Sequence, residues 1–141
     1  MKISVFGNPD YRLDSLPIKL APELAKIFPQ IKFRIENPNE LGIGNEKNWW
    51  IIDAVRGLND VRLLKTEDLK KIEKTRNSLH DFDLGMHLFW LLKLKKDIDV
   101  RIIGIPLEMP FGLALEGAAK IITILLQENG QRSSCRDHKP G

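Results

Sequence analysis

Short apolar runs, each closed by a turn signal or a polar residue, alternate along this chain with stretches of helical periodicity. Ile3 to Phe6 is continuous and short, and Gly7-Asn8-Pro9-Asp10 follows it, which predicts a buried strand ending in a turn. Asp14 or Ser15 then offers an N-cap, and Pro17 suits a first helical turn. Ile18, Leu20, Leu24, Ile27 and Phe28 recur at helical spacing until Pro29 stops the run. Ile31 to Ile35 alternates apolar and basic residues, a strand pattern that Asn37-Pro38-Asn39 ends. Trp49-Trp50-Ile51-Ile52 is unbroken and closed by Asp53, as expected of a strand buried on both faces. Val61 to Leu64 reads as a shorter strand and Thr66 to Lys74 as a charged helix. A longer helix opens at Ser78-Leu79-His80-Asp81 and carries Leu84, Leu88, Leu91, Leu92 and Leu94. Val100 to Ile105 is another buried strand, ended by Pro106, and a last helix runs from Leu113 to Gln127.

The predicted order is β-α-β-β-β-α-α-β-α. Continuous apolar strands separated by helices imply a single α/β domain: a three-layer αβα sandwich around a mostly parallel twisted sheet. Residues 130–141 contain no aliphatic side chain and have no face to bury, so they are set apart from the domain at 1–129 as a disordered tail, of a kind also seen in appended segments.

Composition narrows the function classes. The chain has 141 residues, room for one domain, with 43% hydrophobic and 29% charged residues. A single cysteine, Cys135, excludes a disulfide scaffold and a multi-cysteine metal cluster. The net charge of +3 is mild, and Arg132, Arg136 and Lys139 against Asp137 account for most of it. Nucleic acid is therefore not an expected partner. The opening apolar run is shorter than the roughly 7–15 residues of a signal-peptide core. Elsewhere no run approaches the ~20 residues that span a bilayer. A cytoplasmic monomer that does not insert into membranes is expected.

Open parallel sheets bind ligands at the carboxyl ends of their strands, so polar residues that follow strands are the candidates for chemistry. Asp14 lies in the loop after the first strand, Asp53 closes the Trp-Trp-Ile-Ile run, and His80 opens the long helix. Two carboxylates and an imidazole suit zinc, nickel or another divalent first-row ion. Each residue also has a structural reading: Asp14 and His80 as helix caps, Asp53 as a strand-end turn residue. Trp49 and Trp50 read as packing residues, His87 as a helix-face histidine, and Glu108 and Glu116 as solvated. Cys135 and His138 fall in the tail, and Lys93, Lys95 and Lys96 suit a solvated helix end. There is no phosphate-binding GxxxxGK[ST] loop, GxGxxG, GxSxG or HExxH. No tightly bound organic cofactor is expected.

Four segments together carry a family resemblance. They are Val5-Phe6-Gly7-Asn8-Pro9 followed by Asp14; Ile51-Ile52-Asp53-Ala54-Val55; Ser78-Leu79-His80-Asp81-Phe82-Asp83-Leu84; and Ile102-Ile103-Gly104-Ile105-Pro106 followed by Gly112-Leu113. In this order the chain resembles the hydrogenase maturation endopeptidases, which remove a C-terminal peptide from the large-subunit precursor of NiFe hydrogenases after nickel insertion. The resemblance implies that Asp14, Asp53 and His80 form one catalytic, nickel-binding set, with the nickel supplied by the precursor. It implies a peptide-bond hydrolase of aspartic or metal-assisted type whose partner is that precursor. The chain departs from the family pattern at Leu13, where a second acid is common, and at Pro17 in place of a glycine. Glu36-Asn37-Pro38-Asn39 also stands where an Asp-Gly-Thr loop is usual. Two other readings stay open: a non-catalytic hydrogenase-binding chaperone that keeps the metal-sensing cleft, and a small-ligand or nucleotide-binding α/β domain.

Overall fold

A computed structural model describes residues 2–7, 15–36, 48–55, 58–68 and 99–137, the last of these with side chains through Glu128. Five strands form one sheet: β1 (Lys2–Val5), β2 (Lys32–Ile35), β3 (Asn48–Val55), β4 (Arg62–Lys65) and β5 (Asp99–Pro106). Among the described residues two helices accompany them, α1 (Leu16–Ile27) and α2 (Phe111–Asp137). The spatial order is β2-β1-β3-β5-β4. β1, β2, β3 and β5 run parallel, and β4 pairs antiparallel with β5 at one edge. The chain is a single α/β domain with a mostly parallel sheet.

Burial follows the pleat. Ile3, Val5, Ile52, Ile103 and Ile105 point to one face, against Leu16, Leu20, Ala21 and Leu24 of α1 and Ala114, Ala118, Ile122 and Leu125 of α2. The α2 positions recur every three or four residues, the stripe by which a helix packs on a sheet. The alternate residues Ser4, Ile51, Asp53 and Ile102 turn to the opposite face and are also 0% exposed. The central strands are thus buried on both sides, as a three-layer arrangement requires. Of the charged helix read over 66–74, residues 66–68 are helical; the rest of it, and the helix read over 78–94 with His80 and His87, lie outside the described residues. So does Asp14.

Several local expectations shift. The helical spacing includes Ile27 in the apolar repeat, but that side chain is 49% exposed. It stands at the helix end, where Phe28 folds inward instead and donates its N–H to Leu24 O at 2.8 Å. The strand read as ending before Asp53 continues to Val55, because Ala54 and Val55 keep the ladder with β5 through Pro106. Helix α2 extends ten residues past Gln127, to Asp137. No proline interrupts it before Pro140, and Gln131, Arg132 and Arg136 are compatible with a helix.

Small devices close the elements. Ser15 occupies the N-cap of α1, with Pro17 in the first turn, and its side chain makes no capping bond. Thr66 Oγ1 accepts from the Val100 N–H at 2.7 Å and donates to the Val100 carbonyl at 3.2 Å, tying the end of β4 to the start of β5. The Lys65 N–H donates to Asp68 Oδ2 at 2.9 Å, the backward half of a capping box opening the turn that begins at Thr66.

Candidate functional site

Among the described parallel strands the winding direction reverses once. From β1 the chain crosses to β2 on one side, then returns to β3 on the other. In parallel sheets such a switch point opens a crevice beyond the carboxyl ends of the two adjacent strands, because their outgoing loops diverge. Here those strands are β1 and β3. Their pairing extends past β1, since the Phe6 N–H donates to Ile52 O at 2.9 Å. Continuing the register that sets Val5 beside Ile52 brings Phe6 level with Asp53.

Asp53 therefore sits at the carboxyl end of β3, with β1 on one side and β5 on the other. It lies within the strand, two residues before its end, and is 0% exposed. Its partner in register on β5 is Gly104. That glycine leaves room on the Asp53 face. A Cβ there would come within 2.8 Å of Leu58 Cδ1 and 3.1 Å of Val55 Cγ2. Leu58, from the segment between β3 and β4, thus lies over the sheet where a side chain at 104 would stand. On the β1 side Phe6, also 0% exposed, meets Trp49 edge-to-face with ring centroids 5.9 Å apart. A carboxylate in such surroundings is retained at a desolvation cost that neighbouring donors, protonation or a cation must offset.

Of the three predicted site residues, the structure describes Asp53 alone. Asp14 is the chain neighbour of Ser15, the N-cap residue of α1, and His80 lies outside the described residues. Among the described residues no group of three or more His, Cys, Asp or Glu side chains converges. The structural readings of Glu116 and Trp50 hold: Glu116 is exposed beside Lys120 at 3.5 Å, and Trp50 packs against the core on the helix side. Trp49 packs too, and also donates its indole N–H to Ser4 Oγ at 2.9 Å.

Sequence reasoning missed a second feature of this edge. A cleft of about 520 Å³ opens between the start of α1 and the segment joining β5 to α2. Ser15, Leu16 and Lys19 form one wall, and Leu107, Glu108, Met109 and Phe111 the other. Glu108, read as merely solvated, lines its mouth. Nothing in the local pattern links residues 15–19 to 107–111; only the parallel sheet brings both segments to its carboxyl edge. Both helices begin there without an acidic residue in their first turn, so their N-terminal partial charges are not offset by their own side chains.

No family model matches the chain, and no curated protein matches it. Solved structures do. The chain is similar to the NiFe hydrogenase maturation protease HybD from Thermococcus kodakarensis, at 18% identity and a TM-score of 0.54, over 89% of this chain and 99% of that one. It is similar to the hydrogenase maturating endopeptidase HybD from E. coli at 16% identity and a TM-score of 0.59, over 92% and 94% of the two chains. Over nearly its whole length, the chain has the fold of these hydrogenase maturation proteases.

Proposed function

We propose that this protein is a hydrogenase maturation peptidase that removes the C-terminal extension of a nickel-loaded NiFe hydrogenase large-subunit precursor. The observation that carries the reading is Asp53, a buried carboxylate on β3 beside the switch point, in a chain with the fold of the HybD proteases. Asp14, in the loop after β1, and His80 complete the proposed set. Together they offer two carboxylates and an imidazole to the precursor's own nickel.

Gripping that ion positions the precursor tail at the carboxyl edge of the sheet. Positioning of this kind removes several kcal/mol from a hydrolysis barrier by holding the reacting groups in place. Two routes then lead to cleavage. A carboxylate of the set takes a proton from water as it attacks the scissile carbonyl, or the carbonyl is polarised by the substrate's metal. In both, the hydroxyl adds to the carbonyl carbon and the amine leaves with a proton.

The test is the mass of nickel-loaded precursor before and after incubation. Loss of a C-terminal peptide is expected with the natural protein, and none with His80→Ala at unchanged far-UV circular dichroism. Complete processing by that variant would exclude the assignment. The chaperone reading draws on Glu36-Asn37-Pro38-Asn39, which replaces the family's usual loop; it predicts a stable complex with the precursor and no change of mass. No helix among the described residues is long and apolar enough to cross a membrane.

A further inference from the structure

We infer that the cleft between α1 and the β5–α2 segment binds an extended peptide segment next to the precursor's scissile bond, seating one apolar side chain among Leu16, Leu107, Met109 and Phe111. The inference deepens the peptidase reading and rests on it. Place is the first argument. The cleft lies on the carboxyl edge of the sheet, and Ser15, which lines it, is one residue along the chain from Asp14. A peptide held there passes next to Ser15, the chain neighbour of Asp14, on the sheet face that carries α1 and α2.

Size and chemistry are the second. About 520 Å³ falls within the range of sites that enclose small ligands or a few residues of chain. Leu107 and Met109 are half-buried and Phe111 is 40% exposed, so apolar surface continues from the wall to the mouth. A thioether and an aromatic ring adapt to side chains of different shape. Charge is the third argument, and it selects the occupant. Lys19 enters from one wall and Glu108 from the other. A single cation faced by a single anion complements a peptide, which carries both donors and acceptors along its backbone. Glu108 would repel the phosphates of a nucleotide, and neither wall supplies a glycine-rich phosphate loop.

Methionine provides the probe. The chain has three, Met1, Met86 and Met109, so a protein labelled with ¹³C at the methionine methyls gives three signals, and Met109→Leu assigns the one in the cleft. The ligands are capped synthetic peptides identical except for a central Leu, Lys or Glu, with ATP as the competing class. The central-Leu peptide is expected to move the Met109 signal saturably, and the charged peptides to need about tenfold higher concentration. No movement by any peptide, equal affinities for all three, or tighter binding of ATP would overturn the inference.

A kinetic arm separates the two proposals. Met109→Lys is expected to raise KM for nickel-loaded precursor about tenfold with kcat within about twofold, and Met109→Leu, which restores an apolar side chain, to recover most of that loss in KM. If Met109→Lys misfolds, Phe111→Lys at the exposed mouth replaces it. Processing by the natural protein with an unchanged KM in the folded lysine variant overturns the cleft assignment and leaves the peptidase intact. Saturable peptide binding at Met109 by a protein that cleaves no precursor does the reverse.

Discussion

The indole N–H of Trp49 donates to Ser4 Oγ over 2.9 Å, joining β3 to β1 on the sheet face that also carries Asp53. Ser4 is 0% exposed, so its hydroxyl depends on protein partners. Trp49→Phe keeps much of the ring contact with Phe6 but deletes the donor, and should cost about 1–2 kcal/mol in urea unfolding. In a double-mutant cycle with Ser4→Ala the coupling should be about 1 kcal/mol. A coupling near zero would show that the bond contributes nothing to holding β1 against β3.

Asp53 should behave as a residue kept for chemistry more than for stability. Asp53→Asn preserves shape and hydrogen-bonding capacity, so the melting temperature should change by no more than a few degrees. Processing of nickel-loaded precursor should fall by about 100-fold or more, the loss expected when a group that acts on the reacting atoms is removed. A variant that is clearly less stable but still processes the precursor would make Asp53 a structural residue.

The glycines should separate by what surrounds them. A Cβ at Gly112, in the first turn of α2, meets nothing within 4 Å, so Gly112→Ala should stabilise by about 0.5–1 kcal/mol through helix propensity. A Cβ at Gly117 would stand 2.8 Å from Val61 Cβ and Cγ2, on a β-branched side chain with little freedom to move aside. Gly117→Ala should therefore destabilise by about 1–2 kcal/mol despite the same gain in propensity. Thermal unfolding of the two variants checks the contrast in sign.

Helix α2 is clamped at Glu128, about two-thirds of the way along it, by Arg101, whose side chain is 9% exposed and donates from Nη1 to Glu128 Oε2 at 2.8 Å. Asp99 Oδ2 lies 3.6 Å from its Nε. Glu128 is itself 40% exposed, so Glu128→Gln should cost a moderate amount, about 1–2 kcal/mol. Deleting residues 130–141 keeps the pair and every apolar contact of α2 described above, and should change stability by less than about 0.5 kcal/mol. Deleting from Glu128 onward should cost at least as much as the substitution. A large loss on the shorter deletion would place the domain boundary beyond 129.

Elements whose physics is local were the ones readable in the sequence. The Ile3–Phe6 and Val100–Ile105 runs, and the helical repeat of α1, each announce themselves within a few residues. Helix ends were read less well, because Ile27 has the right spacing and the wrong side of the last turn, and because polar residues after Gln127 can remain helical without packing. Strand order was not readable at all: whether β3 lies beside β1 or β2 depends on crossovers, not on composition. For the same reason Asp53 was identifiable as a strand-associated carboxylate, but its alignment with Phe6 and Gly104 was not. The Ser4–Trp49 bond and the cleft join segments far apart in sequence and leave no periodic trace.

The register of β3 with β5 also bears on how the chain is made. Asn48 pairs with Asp99, so during synthesis β3 waits about fifty residues for the neighbour that covers its second edge. Until then, Trp49 to Val55 presents an apolar strand with one row of backbone groups unsatisfied, the arrangement that recruits other chains. Yield in the cell should therefore depend on translation speed and chaperone supply across residues 56–106 more than on the stability of the finished protein.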